Sequence, residues 1–236
     1  MLDWSPLIIS MKTAMVSTFI TFFIGIFTAR KVMKMKAKLA LFFDGLFTIP
    51  LVLPPTVVGF FLLLLLGKRG MVGKFLLHFH IQIIFTWTAT VIAATVIAFP
   101  LMYRSAKAAF EQVDINLINA AKTLGMADFK IFWKLIMPLS LPGIISGGIL
   151  SFARALGEFG ATLMIAGNIP KVTQTMPLTI YMAIQGGEMD MAGLWVTVIV
   201  IISFIVVIFV NNYAFIYKIY TNKVIKKRRD KNEPIC

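Results

Sequence analysis

Asn119-Ala120-Ala121-Lys122-Thr123-Leu124-Gly125-Met126-Ala127-Asp128-Phe129-Lys130-Ile131-Phe132-Trp133-Lys134-Leu135-Ile136-Met137-Pro138 lies between two long apolar runs. Asn119 to Leu124 is small-sided and compatible with a helix. Gly125 can take the positive φ that ends one. Asp128 to Met137 then predicts a second helix, rich in Phe129, Ile131, Phe132, Trp133 and Leu135, which Pro138 closes before the chain returns to apolar sequence. A purely solvated helix would favour Lys and Glu over paired alanines followed by aromatics. Two readings fit: a helix that another protein's backbone approaches closely, or one lying on a bilayer surface.

The sequence on either side is that of a membrane protein. Of 236 residues 59% are hydrophobic and 14% charged, against about 45–50% apolar in soluble domains. Mean hydropathy is +0.88. Apolar runs approach the ~20 residues that cross a bilayer, and spans are expected at about 7–29, 39–66, 81–102, 138–165 and 193–215. The fold expected is an all-α integral membrane protein, one transmembrane domain over 1–236, with a loop of about 103–137. The second span holds Asp44, Gly45, Pro50, Pro54 and Pro55. It cannot be one regular helix, because each proline removes a backbone donor, and such breaks survive where protein or a water-lined cavity satisfies the freed groups.

Basic residues set the orientation. Five Lys and Arg fall in 30–38, five in 103–137 and seven from 218 onward, together 17. The N-terminus has one, 67–80 three and 166–192 one, together 5, while Arg154 lies inside a span. Under the positive-inside rule the N-terminus is outside and both 103–137 and the C-terminus are cytoplasmic. The N-terminal run has neither a basic leader nor a small-residue cleavage site, so it is expected to be retained as a helix. The net charge of +13 is interleaved with apolar runs, which indicates topology and anionic lipid headgroups rather than nucleic acid.

Catalytic and metal chemistry find little support. Cys236 is the one cysteine and His78 and His80 the only histidines, which reads as two loop or interfacial side chains rather than a metal site. Gly67, Gly73 and Lys74 are spaced wrongly for a phosphate-binding loop, and Phe75 stands where Ser or Thr is needed. Arg154 and Glu158, four apart, share a helix face. A lone charge at mid-membrane costs about 2.5–3.5 kcal/mol on insertion scales, so the two are expected to pair, either as a structural tie between helices or as a polar patch beside a pathway. Thr56, Ser146, Ser151 and Thr162, with Pro54 and Pro55, are candidates to line such a path. Gly143, Gly147 and Gly148 allow close helix approach.

The stretch from 119 to 138 resembles the cytoplasmic motif of ABC importer permeases: Glu-Ala-Ala, three residues, Gly, nine residues, Ile-x-Leu-Pro. Here it reads Asn119-Ala120-Ala121, Gly125 and Leu135-Ile136-Met137-Pro138, with every spacing kept and Asn119 in place of the Glu. Leu51 to Gly59, Gly67-Lys68-Arg69-Gly70 with Gly73, Ala155 to Thr162, Ala166 to Pro170, and Thr175 to Leu178 with Ile180-Tyr181 are similar to the molybdate and sulfate branch. The resemblance covers about residues 4 to 218, and the short length is closer to molybdate than to sulfate permeases.

The resemblance implies a coupling helix that docks in a groove of an ATPase subunit, with Asn119, Ala120, Ala121, Gly125 and Pro138 as its marks. It implies a homodimer, two ATPase subunits that bind ATP and Mg, and an extracytoplasmic oxyanion-binding protein that supplies selectivity. The cargo expected is molybdate or tungstate, with sulfate or thiosulfate as the alternative. A secondary transporter would show inverted repeats, and a membrane-embedded enzyme would cluster His, Asp or Glu in its spans. Neither pattern is evident.

Overall fold

The structure is a computed structural model that describes residues 3–230, with side chains as far as residue 209. Cys236 and Lys231 lie outside the described residues. Eleven α-helices and one π-helical turn are present among those described, in the order α1 (Ser5–Met33), α2 (Ala37–Val52), α3 (Pro55–Leu66), α4 (Met71–His78), α5 (Trp87–Glu111), α6 (Ile115–Thr123), α7 (Asp128–Ile131), the π turn (Phe132–Ile136), α8 (Met137–Leu156), α9 (Gly160–Ala166), α10 (Met176–Gln185) and α11 (Met189–Asp230). Four stretches are long and apolar enough to cross a membrane: Ser5–Met33, Trp87–Glu111, Asp128–Leu156 and Met189–Phe209. The α2–α3 pair, bent by 112°, makes a fifth if it counts as one crossing.

Helix α5 is the axis of the bundle. Ala89, Ala93, Ala94, Ala98, Ala106 and Ala109 are buried along it, and small side chains let neighbouring backbones come close. Helix α1 lies beside it in the same direction. Thr13 and Thr90 hydroxyls meet at 3.0 Å, and twelve residues further on a Cβ at Gly25 would sit 2.8 Å from Met102 Cγ. Helix α8 runs the opposite way, since a Cβ at Gly143 would fall 2.7 Å from Ala109 Cβ and one at Gly147 2.4 Å from Ser105 Cβ. Gly148 faces α1 instead, where a Cβ would lie 3.4 Å from Phe22 Cδ2. Trp4 and Trp195 rings pack edge to face at 6.1 Å, so α11 begins beside the start of α1.

This order fixes how the bent pair counts. Two parallel spans, α1 and α5, need one return crossing between them. Helix α2 meets the far half of α5, where Asp44 takes hydrogen bonds from Tyr103 and Lys107. Helix α3 meets the near half, where Val58 clusters with Ala89, Ala93 and Ile97. Together they return along α5. The break falls at Leu53–Pro54, with Pro54 as N-cap of α3 and Pro55 at its first turn, the position where a missing N–H does no harm. Pro50 sits inside α2.

Several boundaries differ from those the sequence suggests. Helix α5 does not stop near 102 but continues to Glu111, because Tyr103, Ala106, Ala109 and Phe110 recur at helical spacing and are buried against Ile26, Ala29 and Val32 of α1. Pro138 does not close a helix. The chain is helical from Asp128 through Leu156, and the π turn places the Met137 N–H on the Phe132 carbonyl. That wider register absorbs the donor Pro138 lacks. The expected span 138–165 ends at Leu156, with Gly157 as C-cap and α9 as a separate helix. Segment 166–192 contains α10, and the last helix starts at Met189. At the N-terminus, Asp3 accepts from the backbone N–H and hydroxyl of Ser5, which holds its carboxyl below the usual range.

Candidate functional site

One site lies at the end of the bundle where α1 and α5 finish. The Asp114 side chain caps α6 by accepting from the Asn116 N–H at 2.8 Å, satisfying a donor of the first turn. At the other end, Met126 N–H donates to the Ala121 carbonyl at 3.1 Å and Gly125 N–H to the Lys122 carbonyl at 2.9 Å. With Gly125 at φ +75°, this is the paired closure of a Schellman turn. Ala121 is turned inward and buried, whereas Asn119 and Ala120 are exposed. Around them Ile115, Leu124 and Phe129 present apolar side chains that are 61%, 82% and 65% exposed.

The segment is anchored to the bundle from beneath. Lys34, past the end of α1, pairs with Asp128 at 3.4 Å. The Arg30 guanidinium lies 3.8 Å over the Phe132 ring, and Phe110 meets Phe132 edge to face at 5.5 Å. Ser140 Oγ donates to the Ala109 carbonyl at 3.0 Å. Helix α7 forms one continuous helix with α8. Pro138 lies ten residues into that helix, in the first turn of α8, and is itself exposed.

The second group lies about 24 Å further along α8, sixteen residues at 1.5 Å each. Arg154 Nη1 stands 2.8 Å from Glu158 Oε2, although the helix ends between them at Leu156. Glu158 Oε1 accepts the Ala161 N–H at 2.9 Å. One buried carboxylate thus caps α9 and pairs with α8. Helix α9 packs on α3: a Cβ at Gly160 would lie 3.1 Å from Pro55 Cβ and 3.2 Å from Thr56 N, and one at Gly59 would lie 2.8 Å from Ala161 Cα.

Pro55 and Thr56 therefore face Gly160, two residues beyond Glu158, with Thr162 buried in the first turn of α9 and Pro54 exposed at the break. Ser151 is buried and donates to the Gly147 carbonyl at 2.8 Å, which ties its hydroxyl to its own helix. Ser146 stands about 12 Å from Arg154 along α8 and is not part of the group. Among the described residues no three His, Cys, Asp or Glu side chains converge as metal ligands. His78 ends α4, and His80 holds φ +58° in the turn beyond it.

A third cluster was not visible as such in the sequence. Asp44 accepts from Tyr103 Oη and from Lys107 Nζ, and Lys107 also faces Glu111 at 3.7 Å. Its signals were an acid inside an apolar run and Lys107–Glu111 at helical spacing, but only tertiary packing joins them.

The sequence profile of the binding-protein-dependent transport system inner membrane component family matches residues 21–222. The permease protein YvgM of Bacillus subtilis is 44% identical over 211 residues, which span 88% of this chain and 92% of that protein. The molybdenum transport system permease protein ModB of Escherichia coli K12 is 42% identical over 195 residues, 81% of this chain and 85% of that one. Among solved structures, a chain of the MetNI methionine ABC transporter in an inward-facing conformation superposes with a TM-score of 0.69 at 18% identity, covering 89% of this chain and 93% of that chain. That last likeness is one of fold.

Proposed function

Because this chain belongs to the binding-protein-dependent transport system inner membrane component family, we propose that it is the permease of an ATP-driven importer carrying molybdate into the cytoplasm. It is a multi-pass membrane transport subunit, not an enzyme, and it works with a binding protein and an ATPase. In the finer reading two copies form the pathway, two ATPase subunits bind ATP and Mg, and an extracytoplasmic protein delivers the oxyanion. The N-terminus is outside, and α6, α7 and the C-terminus are cytoplasmic.

The observation that carries this reading is the α6–Gly125–α7 segment, whose exposed Asn119, Ala120, Ile115 and Leu124 stand at the mouth of a continuous helix into the membrane. ATP draws the ATPase pair together and moves the docked segments. Helix α8 carries the motion to the Arg154–Glu158 group and to α9, which rests on the broken crossing. The bundle then exchanges inward- and outward-facing states, as packed interfaces with two arrangements do.

Passage itself needs weak contacts, since tight binding slows release. Thr56 and the freed backbone near Pro54 suit a tetrahedral dianion better than Glu158, whose charge repels one. Arg154 is already held by that carboxylate, so the pair is a hinge tie beside the path and not a standing anion site. Molybdate is favoured over sulfate by relatives such as the Escherichia coli ModB protein, 42% identical. Deleting the gene should abolish high-affinity molybdate uptake and spare sulfate uptake. The reverse would favour the sulfate reading.

A further inference from the structure

A cavity of about 500 Å³ opens between the end of α1, the end of α5 and the coupling segment. Arg30, Lys34 and Lys122 stand on its wall with a single carboxylate, Asp128, which is paired to Lys34. Among the described residues no carboxylate lies within ion-pair distance of Arg30 or Lys122. Its floor is apolar, formed by Met33, Phe110, Ile131 and Ile136. The pocket thus pairs a cationic rim with a hydrocarbon base.

Its depth in the membrane follows from the chain. The run from Leu7 to Ala29 is 23 residues, broken only by Lys12 near its outer end, where a lysine can snorkel to the interface; it makes about 34 Å of helix, against a hydrocarbon core of about 30 Å. Arg30 therefore comes out at the level of the phosphate groups, on the face where basic residues are concentrated. Basic pockets between helices on that face suit anionic lipid headgroups. A free oxyanion would use the rim and leave the floor bare; an amphiphile uses both.

We propose that this pocket is a binding site for the phosphate headgroup of an anionic phospholipid, with the glycerol and first methylenes against the apolar floor. It rests on the orientation given above. Ile118 and Lys122 of α6 line it, while Asn119 and Ala120 remain exposed for the ATPase. The bound lipid links α1 to the coupling segment, and Arg30, already stacked on Phe132, is the group that holds the phosphate.

The test uses the permease purified with its ATPase partner from membranes containing phosphatidylglycerol, with retained lipid counted by native mass spectrometry. The double variant Arg30→Gln, Lys122→Gln should retain at least about tenfold less phosphatidylglycerol, given the contribution of each basic side chain at an anionic surface. Lys36→Gln with Lys38→Gln, basic but outside the pocket, should retain it. Equal retention in both doubles, or equal loss, overturns the site. Millimolar inorganic phosphate should leave the lipid in place, and displacement would assign the pocket to a soluble oxyanion instead. Should the first double variant fail to assemble, a photoreactive phosphatidylglycerol applied to the unaltered complex decides: labelling at Met33, Ile118 or Ile136 is expected, and labelling that avoids all three overturns the proposal.

Discussion

The Met126 N–H reaches back to the Ala121 carbonyl at 3.1 Å, across a glycine held at φ +75°. This closure sets the angle between α6 and α7 and leaves Leu124 at the tip of the turn. A Cβ at Gly125 would meet nothing within 4 Å, so the requirement for glycine lies in the backbone conformation and not in space. Left-handed backbone costs a residue with a Cβ about 1–2 kcal/mol, more for a β-branched one, while asparagine visits it routinely.

Gly125→Val should therefore uncouple the machine. Membrane abundance and basal ATPase activity of the assembled complex should stay near normal, while oxyanion uptake falls about tenfold, the factor that 1.4 kcal/mol represents. Gly125→Asn should keep most of the uptake. Equal behaviour of the two variants would show that the φ of this residue does not matter to transport.

The Arg154–Glu158 tie separates two roles. Glu158 is 2% exposed, so removing one partner strands a charge, which for a buried pair costs about 3–5 kcal/mol; the part-exposed Arg154 places the loss at the lower end of that range. Glu158→Ala loses both the ion pair and the cap on α9. Glu158→Gln keeps an oxygen for the Ala161 N–H and should melt higher than Glu158→Ala. Removing both charges, as Arg154→Gln with Glu158→Gln, should restore part of the thermal stability lost in Arg154→Gln alone. A double variant that is stable but cannot transport would move the pair from tie to pathway.

The approach of α3 to α9 depends on Gly59. In Gly59→Ala the new Cβ would lie 2.8 Å from backbone Ala161 Cα, a contact only a shift of the helix relieves. Overpacking of this kind costs about 1–3 kcal/mol. Thermal unfolding in detergent should drop accordingly, whereas Gly45→Ala, where a Cβ has nothing within 4 Å, should be neutral or slightly stabilising.

Asp44 is the acid of a partly buried network. Lys107→Met should destabilise the protein more than Tyr103→Phe, because the first leaves a carboxylate without its cation and the second removes one hydrogen bond, worth about 1.5–3 kcal/mol to a charged acceptor. Asp44→Asn should lie between them. Differential scanning of the three variants in one detergent orders them directly.

Much of this was legible in the chain. Asn119 to Gly125 combined small residues with a glycine at the right place, and those are the residues that set α6 and its closure. Four-residue spacing placed Arg154 and Glu158 within reach even though the helix ends between them. The prolines at 50, 54 and 55 announced a break, but only two of them make it. What escaped was set by tertiary contact. Tyr103, Arg104 and Lys107 look like the start of a loop, yet Ala106, Ala109 and Phe110 find partners on α1 and carry the helix to Glu111. Pro138 looks like a terminator because sequence gives no sign of the π turn that accommodates it.

The central claim is that Ala120 faces the cytoplasm in the grip of an ATPase. A cysteine at Ala120, with Cys236 replaced by serine, measures both at once. It should crosslink to the ATPase subunit in the assembled complex, and in inverted vesicles lacking that subunit, but not in intact cells, a membrane-impermeant thiol reagent should reach it. Labelling from the outside of intact cells, or an absence of any crosslink to a nucleotide-binding partner in the assembled complex, would contradict the account.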